Sequence, residues 1–187
     1  MNEHPARCAC HARRQLLSLA AWSSIGALLV VSGCGDRAGD GTTTAAVEFG
    51  DATACSLDGM ILADYPGPKG QIHYEGATEP AYYCDTVELL AELLQPEQVR
   101  KVAAVYVQDM GRTEWERPRG HWIDARTAFY VRGSRRHGSM GPTIATFAQE
   151  AHARTFIGEH GGTLLRFAEI TPAMVDLGGG AKTDARM

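Results

Sequence analysis

Cys55 and Met60 place a thiol and a thioether five residues apart in Cys55-Ser-Leu-Asp-Gly-Met60, with Gly59 free to close a tight turn between them. A second thioether, Met140, lies in His137-Gly-Ser-Met140-Gly-Pro142, a loop of small residues with little local core for an apolar side chain to fill. Sulfur ligands of these two kinds select a soft ion, above all Cu(I). Thioether never needs deprotonating, and two- or three-coordinate Cu(I) leaves room for an incoming ligand, so such a set suits a site that passes metal on. Other readings stay open on the residues alone. Cys55 and Cys84 can instead pair as a disulfide in an oxidising compartment, and Met60 can be core. His121, His152 and His160 read as surface or helix-end residues. The last two are two helical turns apart, about 12 Å, too far to share an ion without other help.

No nucleotide loop, Gly-x-Ser-x-Gly elbow or His-Glu-x-x-His zinc motif is present. The Gly178-Gly179-Gly180 run lies in a polar tail with no strand before it, so it does not cradle phosphate. With 18 Lys plus Arg against 22 Asp plus Glu, no basic stripe, and 44% apolar residues, the composition is that of a globular protein that does not bind nucleic acid.

The N-terminus reads as a bacterial lipoprotein signal over residues 1–33. Arg7, Arg13 and Arg14 precede the apolar run 16–31, and Val31-Ser32-Gly33-Cys34 follows as a small-residue cleavage site. Cleavage leaves 154 residues with a net charge of −6 and makes Cys34 the lipidated N-terminus, which anchors the chain to a membrane outside the cytoplasm. Of five cysteines only Cys55 and Cys84 then remain as thiols. Residues 34–54, rich in Gly, Thr, Ala and Asp, read as a flexible tether. Residues 55–177 form the domain, and 178–187 a loose tail.

The elements that must position these sulfurs form an apparent duplication. Strand-like segments 71–74 and 81–84 precede Asp85-x-x-Glu88, a capping box that opens a helix with apolar Val87, Leu90, Leu93 and Leu94. A β-prone run over 102–107 follows. In the second half, 122–124 and 128–131 read as strands, Thr146-x-x-Gln149 as the next capping box, and 163–167 as the closing strand. In both halves the last strand begins 17 residues after the cap. The expectation is an α+β fold of tandem ββαβ-like modules, about 55–111 and 112–172, with mostly antiparallel sheets each covered by a helix.

The sequence resembles the NosL family of copper lipoproteins. The resemblance is carried by Cys55-Ser-Leu-Asp-Gly-Met60, Asp64-Tyr65-Pro66-Gly67-Pro68-Lys69, Tyr106-Val107-Gln108-Asp109-Met110-Gly111, Trp122-Ile123-Asp124-Ala125-Arg126, Gly138-Ser139-Met140-Gly141-Pro142 and His160-Gly161-Gly162, in that order. It implies Cu(I) binding and copper delivery to the catalytic copper centre of nitrous oxide reductase, without catalysis. It also implies partnership with that enzyme, a periplasmic repeat protein and a membrane ABC transporter. On the resemblance, Cys55, Met60 and Met140 are the copper ligands, with His137 a weaker nitrogen candidate and His73 its rival. Cys84 is expected to be structural. Gly35 after the lipidated cysteine, with no Asp there, leans towards the outer membrane. Two alternatives accompany this reading: a disulfide-stapled adaptor lipoprotein without metal, and a thiol enzyme using Cys55, Cys84 and Asp58, by the family's distant similarity to organomercurial lyase.

Overall fold

The computed structural model describes residues 44–177. The signal segment, Cys34, the first part of the tether and the tail from residue 178 lie outside the described residues. Strands β1 (Gly70–Tyr74) and β2 (Ala81–Tyr83) lead into helix α1 (Thr86–Leu93), which returns to β3 (Val102–Gln108). A short strand β4 (Trp122–Asp124) follows, then β5 (Phe129–Gly138), β6 (Gly141–Phe147), helix α2 (Glu150–His160) and β7 (Thr163–Arg166). Every strand pairing is antiparallel. The sheets run β2-β1-β3-β4 and β6-β5-β7, so the ββαβ order recurs with the same pairing in both halves. In each unit the first strand lies between the second and the last.

Three expectations about the second half are corrected. Segment 122–124 is not the opening strand of the second unit; it adds to the edge of the first sheet through Tyr106↔Asp124 and Gln108↔Trp122. The second unit's own strands are β5 and β6, and the supposed loop around Met140 is the tip of their hairpin, where Gly138↔Gly141 closes a two-residue turn on Ser139 and Met140. Small residues there suggest a loop by composition, yet they close a hairpin, and Gly141, directly after the turn, is at φ 103, a conformation glycine adopts freely. Thr146 does not cap α2. It lies in β6 with its hydroxyl donating to the Gln108 carbonyl at 2.6 Å, and Gln149 takes the cap position.

The main core gathers Ile72, Val105, Val107, Leu89, Leu90, Tyr130 and Ile144 from both halves, and a second cluster under α2 holds Val131, Ala145, Phe147 and Ala153. Asp85, with extended backbone, caps α1 by accepting from Val87 N at 2.8 Å. Thr143 of β6 donates to the same carboxylate at 2.6 Å, which ties the hairpin to the start of α1.

The tether also ends earlier than expected. From Thr44 the chain is docked on the first sheet: Gln71 exchanges hydrogen bonds with both backbone groups of Val47, and Tyr106 donates to the Thr44 carbonyl. Phe49, 3% exposed, sits edge-on to Tyr82 and Trp122 beneath the Arg119 guanidinium. Composition underrates this segment because one aromatic residue and a set of backbone hydrogen bonds do the anchoring. Phe49→Ala is therefore expected to lower domain stability by about 3 kcal/mol, measured by urea unfolding; a change indistinguishable from zero would return 44–54 to the tether.

Candidate metal centre

The loop carrying Cys55 is closed on itself. Cys55 N donates to the Met60 carbonyl at 2.7 Å, Gly59 N to the Cys55 carbonyl at 3.0 Å, and Met60 N to Asp58 Oδ1 at 3.0 Å. Gly59 takes φ 79, the left-handed value such a return requires. The loop is then stitched to β2: Ser56 N donates to the Tyr82 carbonyl at 2.7 Å and Tyr82 N to Ser56 Oγ at 3.1 Å. Two residues beyond Tyr82 comes Cys84, so this stitching sets the two thiols side by side. Cys55 is 4% exposed and Cys84 fully buried; both are free cysteines.

Glu88, expected to close a capping box, points elsewhere. Its Oε2 lies 3.3 Å from Cys55 Sγ and 3.2 Å from Cys84 Sγ. Cys55, Asp58, Cys84 and Glu88 each offer a donor atom within 4.8 Å of the others, a spacing that fits a single ion. Met60 packs against a small buried cluster made of Phe49, Cys55, Leu62, Tyr82 and Cys84. On the other side Ser139, at the hairpin tip, has its Oγ 3.2 Å from Cys84 Sγ. Met140, the next residue, is 65% exposed.

The remaining sequence candidates lie differently. His137 is exposed on β5, and its carbonyl accepts from Trp115 Nε1 at 2.9 Å. His73 is buried with Nε2 2.7 Å from Gln71 Oε1 and its ring edge-on to Tyr106. Neither histidine belongs to the cluster that could share an ion. Cys84, expected to be structural, does belong to it, as does Glu88. Helix spacing could have found Glu88: at the third position of α1 it lies four residues after Cys84, one turn on. The capping-box pattern concealed it by offering a sufficient structural use.

Three acidic groups in one buried contact cannot all ionise. The Cys84 thiol donates to Cys55 sulfur, which holds Cys55 down to about 6 despite its burial. The same hydrogen bond, with desolvation, pushes Cys84 far up. Desolvation, then the Cys55 charge, raises Glu88 to about 7. The site thus holds a ready thiolate at neutral pH, the form a soft metal binds. Beneath it Lys69 is fully buried, its ammonium pushed down to about 8 by desolvation while Cys84, Asp85, Glu88 and Cys55 oppose the shift, so it remains charged at pH 7.

The donor set suits copper: two soft thiols lie beside the Asp58 and Glu88 carboxylates, and a thioether, Met60, packs against the same cluster. Comparison with known proteins agrees. The chain matches the NosL family model over residues 46–175. It is 43% identical over 147 residues to a protein of Stutzerimonas stutzeri described as copper-binding lipoprotein NosL, covering 78% of this chain and 76% of that one. A protein of the same description from Achromobacter cycloclastes is 41% identical over 120 residues, 62% of each chain. The crystal structure of the copper chaperone NosL from Shewanella denitrificans superposes with a TM-score of 0.66 at 40% identity, covering 69% of this chain and 97% of that one.

The raised Glu88 value has a consequence for the metal-free protein. Unfolded, Glu88 ionises near 4.5, and folded at about 7, so the unfolded state releases its proton first and stability falls as pH rises between these values. Asp85, raised from 3.8 to about 6 by burial, acts in the same sense, whereas Cys55 acts oppositely above pH 6. Glu88→Gln should flatten the decline measured by denaturant unfolding between pH 4.5 and 6; an unaltered slope would show that Glu88 is not strained by its burial.

Proposed function

Since this chain belongs to the NosL family, we propose that it binds copper as Cu(I) at the Cys55 site and delivers it for assembly of the catalytic copper centre of nitrous oxide reductase. The observation that carries this reading is the buried Cys55–Cys84 thiol pair, which lies in a cluster against which Met60 packs. Such sulfur discriminates for Cu(I) over the harder ions that carboxylates and imidazoles would hold. Cys55 is the primary thiolate and Met60 a thioether beside it. Met140, exposed on the hairpin tip next to the residue that touches Cys84, is the thioether that meets an incoming acceptor. Transfer then proceeds by ligand exchange, with acceptor sulfur or nitrogen replacing the ligands of this chain in turn. Binding and release are the whole activity; no substrate bond is made or broken.

The lipoprotein character of its relatives agrees with a signal that ends before Cys34, and we place the protein lipid-anchored outside the cytoplasm, on the outer membrane. Two acyl signals give stable attachment. Confinement to the periplasmic face of a membrane raises the effective concentration towards periplasmic partners, the reductase and the repeat protein, so a weak encounter suffices for transfer.

Titration of the reduced protein against a Cu(I) chelator should give one equivalent. Cys55→Ser should remove most of the affinity, because a neutral hydroxyl is a poor ligand for a soft cation; undiminished affinity would move the site. Met140→Ala should weaken binding, or speed release to a competing chelator, without lowering unfolding stability, since its side chain is largely outside the core. In cells short of copper, a Cys55→Ser strain should yield reductase deficient in its catalytic copper. Full loading there would argue for the adaptor reading.

A further inference from the structure

Copper binding leaves one sequence motif without a use. Asp64-Tyr-Pro-Gly-Pro-Lys69 runs from a 3-10 turn (Leu62–Asp64) into β1, and turn chemistry accounts for its prolines and for Gly67 at φ 81. It does not account for the lysine. Lys69 has no solvent exposure, and its Nζ donates to the carbonyls of Pro66 and Cys84, both at 3.0 Å. Among the described residues it forms no ion pair with a carboxylate. A fully buried ammonium satisfied only by neutral carbonyls is costly to keep. Its electrostatic neighbours are Cys84, Asp85, Glu88 and Cys55, so the charge lies against the site that the copper reading assigns. The whole turn is clamped in place: Gly67 N donates to the Trp115 carbonyl at 2.8 Å, while Lys69 N donates to Gln108 Oε1 and its carbonyl accepts from Gln108 N.

We propose that Lys69 is the fixed counter-cation of the metal-thiolate centre and thereby makes the site prefer a monovalent ion to a divalent ion held by the same sulfurs. Bound by the same sulfurs, Cu(I) and Hg(II) displace the same number of protons, so the Hg(II)-loaded site carries one more positive charge than the Cu(I)-loaded site. A nearby buried ammonium favours the less positive of the two, the Cu(I) form. Lys69 is thus a positioning and selectivity residue, not a ligand. It holds the Cys84 carbonyl, and its charge biases which metal the sulfurs retain.

This inference rests on the copper reading, and the test separates the two. Affinities of the purified reduced chain are measured anaerobically at pH 7, for Cu(I) against a bidentate Cu(I) chelator and for Hg(II) against a small dithiol. In Lys69→Met the ratio of Cu(I) to Hg(II) affinity should fall roughly tenfold or more. Lys69→Gln, which keeps a donor for the two carbonyls and loses only the charge, should show the same fall and covers the case in which the methionine variant does not fold. Lys69→Arg should restore the ratio. A role confined to holding the Cys84 carbonyl would weaken both ions together and leave the ratio at its original value, and that result in a folded neutral variant overturns the proposal. Failure of the unmodified chain to bind Cu(I) overturns the copper reading instead.

Discussion

The contact of Cys84 with its surroundings is the constraint on which the remaining arrangement depends. Its sulfur touches Glu88 and Ser139, its proton lowers Cys55, and its carbonyl receives the Lys69 ammonium. Each partner comes from a different piece of chain: the N-terminal loop, the Pro-Gly-Pro turn, α1 and the β5–β6 hairpin. Withdrawing any of them would leave a buried polar or ionisable group without a partner, which costs far more than a lost surface hydrogen bond. The site and the packing of the two halves are therefore one problem with one solution.

Close approach at the hairpin shows how tight that solution is. A Cβ on Gly138 would stand 2.1 Å from Asp85 Oδ2 and 2.9 Å from Thr143 Cβ, and one on Gly67 would stand 3.0 Å from the Gly138 backbone. The hairpin tip thus lies directly on the Pro-Gly-Pro turn and the first turn of α1. Trp115 reinforces it by donating to the His137 carbonyl while its own carbonyl accepts from Gly67 N. Rigid backing with an exposed Met140 at the tip is an arrangement in which ligands can be pre-placed while one face stays open to an acceptor.

The docked segment 44–54 extends the same logic to the first described residues. Phe49 packs into the cluster that contains both cysteines, and Arg119 and Trp122 bind its neighbours Asp51 and Glu48. The first described segment is therefore packed beside the two thiols themselves.

Local pattern in the sequence was enough for α1 with its Asp85 cap, for the strands around 71–74 and 102–107, and for the repeated ββαβ order. These are short-range features, set by side-chain type and by hydrophobic period within a few residues. Tertiary structure alone decided which strand joined which sheet, that β6 exists, that 44–54 belongs to the fold, and that Cys84, Glu88 and Lys69 share one buried volume. In each case the partners are far apart in sequence: Cys84 and Ser139 by 55 residues, Cys55 and Glu88 by 33. Glu88 makes the distinction plain. Its position three residues after Asp85 satisfies a helix-capping pattern, but burial beside two thiols gives it a different partner, and burial is a property of the assembled chain.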